Sequence, residues 1–136
     1  MADPPAGADD AGIVTKTSHD SVEDTVARLT DLIAARGMEL FATIDHSAAA
    51  RRVGLDLRDT KVIIFGSPTA GTPVMAASPL AALDLPLRVL VWDDQGHTKV
   101  SYTDPAVVAA RHDLTSELAQ RLAGINALTD ALTAQS

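Results

Sequence analysis

Leu87-Arg88-Val89-Leu90-Val91-Trp92, then Asp93-Asp94-Gln95-Gly96, then His97-Thr98-Lys99-Val100-Ser101-Tyr102-Thr103 is the stretch that sets the fold class. An apolar run, a turn of Asp and Gly, and a second run bearing β-branched residues predict a β-hairpin. A doubly wound α/β chain would place a helix after every strand, and this hairpin breaks that rhythm. Upstream, Val62-Ile63-Ile64-Phe65 is a continuous apolar run, as a central strand reads, and Met38, Leu40, Ala42 and Ile44 alternate with other residues. Ile13 to Thr17 is a further short strand. The expectation is an α+β fold, a mainly antiparallel sheet of four to five strands with long helices packed on one face.

The helices are marked by their ends. Ser21 and the acids behind it open one, Val22, Val26, Leu29 and Ile33 give it an apolar face, and Gly37 closes it. Asp45, His46 or Ser47 can cap a short helix through Ala48–Val53. Gly66 to Pro86 reads as irregular, with Thr72-Pro73 opening one helical turn and Pro79 another. Asp104-Pro105 starts a helix to about Ala110. Thr115 starts the last one, with Leu118, Leu122, Ile125, Leu128 and Leu132 on one side. That stripe either covers the sheet or pairs with a second subunit.

Composition narrows the function classes. Among 136 residues, 46 % are apolar but only 3 % aromatic, so the core is aliphatic. The net charge of −7 leaves no basic stripe to neutralise phosphates, and few aromatics remain to stack bases. Nucleic acid and membrane surfaces are therefore not expected partners. No cysteine is present, which removes disulfides, thiolate catalysis and cysteine-held metals. The Met1-Ala2-Asp3-Pro4-Pro5 start lacks the basic-then-apolar pattern of a signal peptide, and a cytoplasmic location is expected.

Several residues carry candidate chemistry. Asp45 and His46 end a strand, where a carboxylate could orient an imidazole acting as acid or base. Asp45 equally serves as a plain helix cap. The segment Gly66-Ser67-Pro68-Thr69-Ala70-Gly71-Thr72 offers N–H groups and hydroxyls suited to a small anion. It equally serves as a tight crossover. It lacks the Lys-Ser/Thr ending of a P-loop, and Ser67 lacks a nucleophile elbow. Asp84, Tyr102 and His112 complete the ligand-binding candidates. His112 could converge with His46 and a carboxylate, but no short metal-binding spacing exists, and no metal site is expected.

Ile44-Asp45-His46, Gly54-Leu55, Phe65-Gly66-Ser67-Pro68, Gly71-Thr72-Pro73, Asp84-Leu85-Pro86-Leu87, Tyr102-Thr103-Asp104-Pro105 and Arg111-His112 together resemble the bacterial domain of unknown function 302 family. The resemblance runs from about Thr15 to Leu114. It implies a compact α+β domain with a curved sheet that associates as a homodimer, and it brings no reaction, substrate or cofactor. Thr103 stands where that pattern usually carries Asn, which removes an amide. The expected organisation is a disordered tail at 1–12, the α+β domain at 13–114 and a C-terminal helix at 115–136. The expected function is binding of a small, possibly anionic, ligand, its cofactor unknown. The alternatives are an enzyme using the Asp45–His46 pair and a homodimeric interaction module.

Overall fold

A computed structural model of the chain describes residues 8–134. Five strands, β1 (Ile13–Ser18), β2 (Glu39–Asp45), β3 (Thr60–Gly66), β4 (Leu87–Asp94) and β5 (His97–Thr103), form one sheet in the order β1-β5-β4-β3-β2. Every neighbouring pair is antiparallel. The fold is α+β, as the hairpin dictates. Gln95 and Gly96 take positive φ in its turn (52° and 91°), a conformation glycine adopts without steric cost.

Register decides which side chains meet the helices. Val14 pairs with Tyr102, Val100 with Val91, Val89 with Ile63, and Phe65 with Leu87, so all of them share one face. Against that face pack α1 (Val22–Ala35) and α6 (Gly124–Thr133), through Val22, Leu29, Ile33, Ile125, Leu128 and Leu132. Each fully buried leucine or isoleucine contributes about 2 kcal/mol of transfer free energy. α1 starts where the sequence places it: the Ser21 hydroxyl accepts from the Asp24 N–H at 3.0 Å. Polar side chains also join this face, buried Ser18 and Thr98 among them. Lys16, 9 % exposed, reaches from β1 to Thr129 Oγ1 (2.6 Å) and Asp130 Oδ1 (2.8 Å), its ammonium 5.2 Å from the centre of the Tyr102 ring.

A second, smaller core lies beside the sheet. Val74 of α3 (Pro68–Ala77), Ala81 of a 3-10 turn (Pro79–Leu83), Val108 of α4 (Pro105–Arg111) and Leu122 of α5 (Ser116–Leu122) are buried together. The remaining helix, α2 (His46–Arg52), follows β2 and is capped by Asp45.

Three local expectations are corrected. Gly66–Pro86 is more regular than its prolines suggest, because Ser67-Pro68 starts α3 five residues before Thr72-Pro73 and Pro73 lies inside the helix. The C-terminal stripe is two helices, not one. The chain breaks at Ala123-Gly124, sending Leu118 and Leu122 to the small core and Ile125, Leu128 and Leu132 to the large one. β2 does not alternate cleanly, since a bulge at Phe41 leaves Leu40 opposite Phe65 and Ala42 opposite Ile64. Leu40 and Ala42 therefore face opposite sides of the sheet. Of the tail expected at 1–12, residues 1–7 lie outside the described residues. Within the remainder, the Asp9 carboxylate accepts N–H bonds from Ala11 and Ile13 at 2.9 Å.

Candidate functional site

The seam between the two cores does not close. A pocket of about 620 Å3 opens there, a size usual for small-molecule sites. Gly66, Ser67, Pro68, Ala70 and Gly71 form one wall, where β3 runs into α3. Leu85, Pro86 and Leu87, leading into β4, form a second. Leu122, Gly124 and Ile125 supply a third at the break between α5 and α6. Met38, Phe41, Met75 and Ala82 complete the apolar lining.

Each wall follows from a local feature already described. The β2 bulge turns Phe41 toward Gly66, where the ring edge would lie 3.8 Å from an added Cβ. The Ala123-Gly124 break sets Leu122, Gly124 and Ile125 at the opening. Two charged side chains also line the pocket, Arg36 after the end of α1 and Arg121 in the last turn of α5. No carboxylate is among the lining residues, and neither guanidinium has a carboxylate within 4.0 Å among the described residues.

The expected site residues divide into three groups. Gly66, Ser67 and Gly71 line this pocket. They do so as helix and strand termini, not as an open loop: the N–H groups of Ala70 and Gly71 are taken by the Ser67 carbonyl, and the Ser67 and Thr69 hydroxyls bond each other at 2.8 Å. Thr72 points away, exposed on α3.

Asp45 and His46 form no pair. The Asp45 carboxylate accepts from Ser47 Oγ (2.6 Å) and the Ala48 N–H (2.9 Å), with Lys61 Nζ at 3.8 Å. The hydroxyl bond, then the backbone bond, hold its carboxyl below the usual carboxylate range. His46 is exposed. Tyr102 is 4 % exposed and donates its hydroxyl to Asn126 Oδ1 at 2.7 Å, tying β5 to α6 within the large core.

Asp84 and His112 do come together, away from the pocket lining. His112 Nε2 lies 2.6 Å from Asp84 Oδ2, and Arg111 donates to Asp84 Oδ1 at 2.9 Å. The ionised carboxylate only accepts, so the ring nitrogen carries the proton between them. Both side chains are largely buried, at 17 % and 8 % exposed. The His112 hydrogen bond lowers the Asp84 pKa, Arg111 lowers it further, and burial opposes both. Asp84 directly precedes Leu85-Pro86-Leu87, so this contact pins one pocket wall to the end of α4. Among the described residues no three His, Asp or Glu side chains gather as a metal centre requires.

Arg36, Arg121, Phe41 and Met75 were not singled out from the sequence. Arg36 reads there as a helix-end cation and Arg121 as one exposed charge on a long helix. Nothing in the spacing, 85 positions apart, links the two.

Comparison with known proteins supports the architecture. The profile of the family described as domain of unknown function DUF302 matches residues 14–132, a span that takes in α5 and most of α6. A crystal structure of an uncharacterized conserved DUF302 protein from Bacillus stearothermophilus superimposes with a TM-score of 0.77 at 18 % identity, covering 90 % of this chain and 95 % of that one. Two relatives are named fluoride-specific ion channel FluC 1, from Brucella suis biovar 1 (strain 1330) and Brucella abortus biovar 1 (strain 9-941). Each is 41 % identical over 112 residues, which is 82 % of this chain. The chain spans less than half the length of these relatives, 44 % and 42 % respectively.

Proposed function

This chain belongs to the DUF302 family, and we propose that it is a small-molecule-binding domain whose site is the apolar pocket at the seam of its two cores. One observation carries the reading. The seam between the two cores leaves a cleft of about 620 Å3 lined mostly by apolar side chains, the size and lining usual for small-molecule sites. The side chains around it are mostly apolar, so a bound molecule gains by leaving water.

The Asp45–His46 acid–base alternative finds no support in the geometry, because the carboxylate is committed to the α2 cap. The channel named in the Brucella relatives is a property of longer proteins, of which the matched segment is less than half. No helix among the described residues is long and apolar enough to cross a membrane. We read the shared segment as a binding domain within those longer chains.

Gly71→Leu tests the pocket directly. Gly71 lines the pocket on helical backbone, and a Cβ there is in ordinary contact with Met75 Cε at 3.8 Å, so a leucine is expected to occupy part of the opening. Nile red, a neutral apolar dye, is expected to bind the native chain and to bind the variant at least tenfold more weakly. Thermal stability is expected to hold or rise, because glycine costs a helix interior roughly 0.5–1 kcal/mol. Equal dye binding by both proteins, or by neither, ends the proposal.

A second observation favours self-association. The sheet face opposite the helices carries Ile44, Val62, Ile64, Leu90 and Trp92 without a covering layer, and Ile44 is 40 % exposed on an edge strand. We propose that a second copy covers it. Native mass spectrometry is expected to give twice the chain mass, and Ile64→Asp to give the single mass. A monomeric native chain sinks this reading and leaves the pocket untouched.

A further inference from the structure

We infer that the pocket takes an amphipathic monoanion, an unbranched hydrocarbon chain ending in a carboxylate, with its acid group held by Arg36 and Arg121. The inference rests on the pocket reading above and adds the chemical class of the occupant. Two features of the lining carry it.

The first is the placement of charge. The protein as a whole has a net charge of −7 and so repels anions at long range. Its pocket is the reverse, with two guanidinium groups and no carboxylate among the lining residues. Arg36 and Arg121, like Arg51, Arg52, Arg58 and Arg88, have no Asp or Glu within 4.0 Å among the described residues, and of these six they are the two that line the pocket. Guanidinium groups bind carboxylates through paired N–H donors, and an acid head supplies the partner that the fold withholds.

The second is the shape and softness of the rest. Met38 and Met75 present thioether chains that adapt to a flexible occupant, and Phe41 is the lone aromatic ring in the lining. Gly66 and Gly71 leave the β3–α3 wall with only the small side chains of Ser67, Pro68 and Ala70. A wall of this kind accepts a chain laid along it and gives a flat ring little to stack on. Arg36 and Arg121 are both exposed while Leu122 and Ile125 are buried, so a head in water and a chain inside match the polarity of the site.

Titration calorimetry with decanoate, decanol and butyrate tests the inference on the native chain, on the Arg36→Gln/Arg121→Gln double variant and on Gly71→Leu. Both arginines are exposed, so the double variant is expected to fold, and its thermal melt checks this. The native chain is expected to bind decanoate about tenfold or more tighter than decanol, the gain of a charge-assisted hydrogen bond. Butyrate is expected to be too weak to detect, because each methylene is worth roughly fourfold in affinity. The double variant is expected to bind the two ten-carbon ligands equally, and Gly71→Leu to bind neither.

Equal affinity for decanoate and decanol on the native chain overturns the anion and leaves the apolar pocket standing. An unchanged decanoate preference in the double variant removes the arginines from the site and overturns the inference. Absence of binding by every ligand overturns both the inference and the pocket.

Discussion

Leu128→Ala is expected to lower folding stability by about 3 kcal/mol, read as a shift in the urea midpoint at unchanged slope. Leu128 has no exposed surface and belongs to the core that also holds Val14, Leu29 and Val100. Truncation removes its transfer free energy and leaves a cavity that α1 and the sheet cannot close, because both are fixed by their own packing. The prediction also separates the two roles open to the C-terminal stripe. With α6 packed on its own sheet, the loss is the same at every protein concentration. If the stripe instead met a second subunit, the loss would be absent in dilute monomer and would grow as dimers formed. A loss below about 1 kcal/mol would contradict the packing described.

Asp84→Ala is the second large effect, expected at about 2–3 kcal/mol near neutral pH. Arg111 is 54 % exposed, and its bond to Asp84 contributes little, as surface pairs do. The weight falls on His112, which is 8 % exposed and loses the acceptor 2.6 Å from its ring nitrogen. The pH dependence has a definite sign. The Asp84 pKa is lower in the folded chain than in the unfolded one. Its contribution is therefore complete above the unfolded value, about 4, and disappears as pH falls through the lower folded value. Urea melts are expected to show a constant gap between native and variant chains above about pH 5 that narrows steadily toward pH 2. A gap that persists undiminished at pH 2, or none at pH 7, would refute the role assigned to this contact. Because Asp84 holds the Leu85-Pro86-Leu87 wall, the same variant is expected to weaken decanoate binding.

Much of the architecture is written locally. The Leu87–Thr103 hairpin, the Ser21 cap, the Val22–Ile33 stripe and the Asp104-Pro105 helix start each rest on neighbours within a few residues, and each is found where its signal lies. The misread places are those where two local signals compete. Ser67-Pro68 and Thr72-Pro73 carry the same helix-start message, and the helix begins at the earlier one, with Pro73 inside it. At Gly124 the sequence shows only a weakened helix. Two separate cores pulling on Leu122 and Ile125 turn that weakness into a break.

The candidate site was legible in pieces. Gly66, Ser67 and Gly71 mark one wall, and Asp84 and His112 do meet, yet His46 and Asp45 stay apart because the carboxylate is satisfied by the helix it caps. By itself, the sequence determined the α+β class, the ends of most helices, the aliphatic core and the absence of thiol chemistry. Periodicity, caps and composition act over a few residues or over the whole chain. Only the tertiary structure decided that Arg36 and Arg121 share a pocket, that Phe41 turns onto Gly66, and that the C-terminal leucines divide between two cores. These are distances between residues far apart in the chain, and they are set by strand register and helix packing, for which no single stretch of sequence carries a signal.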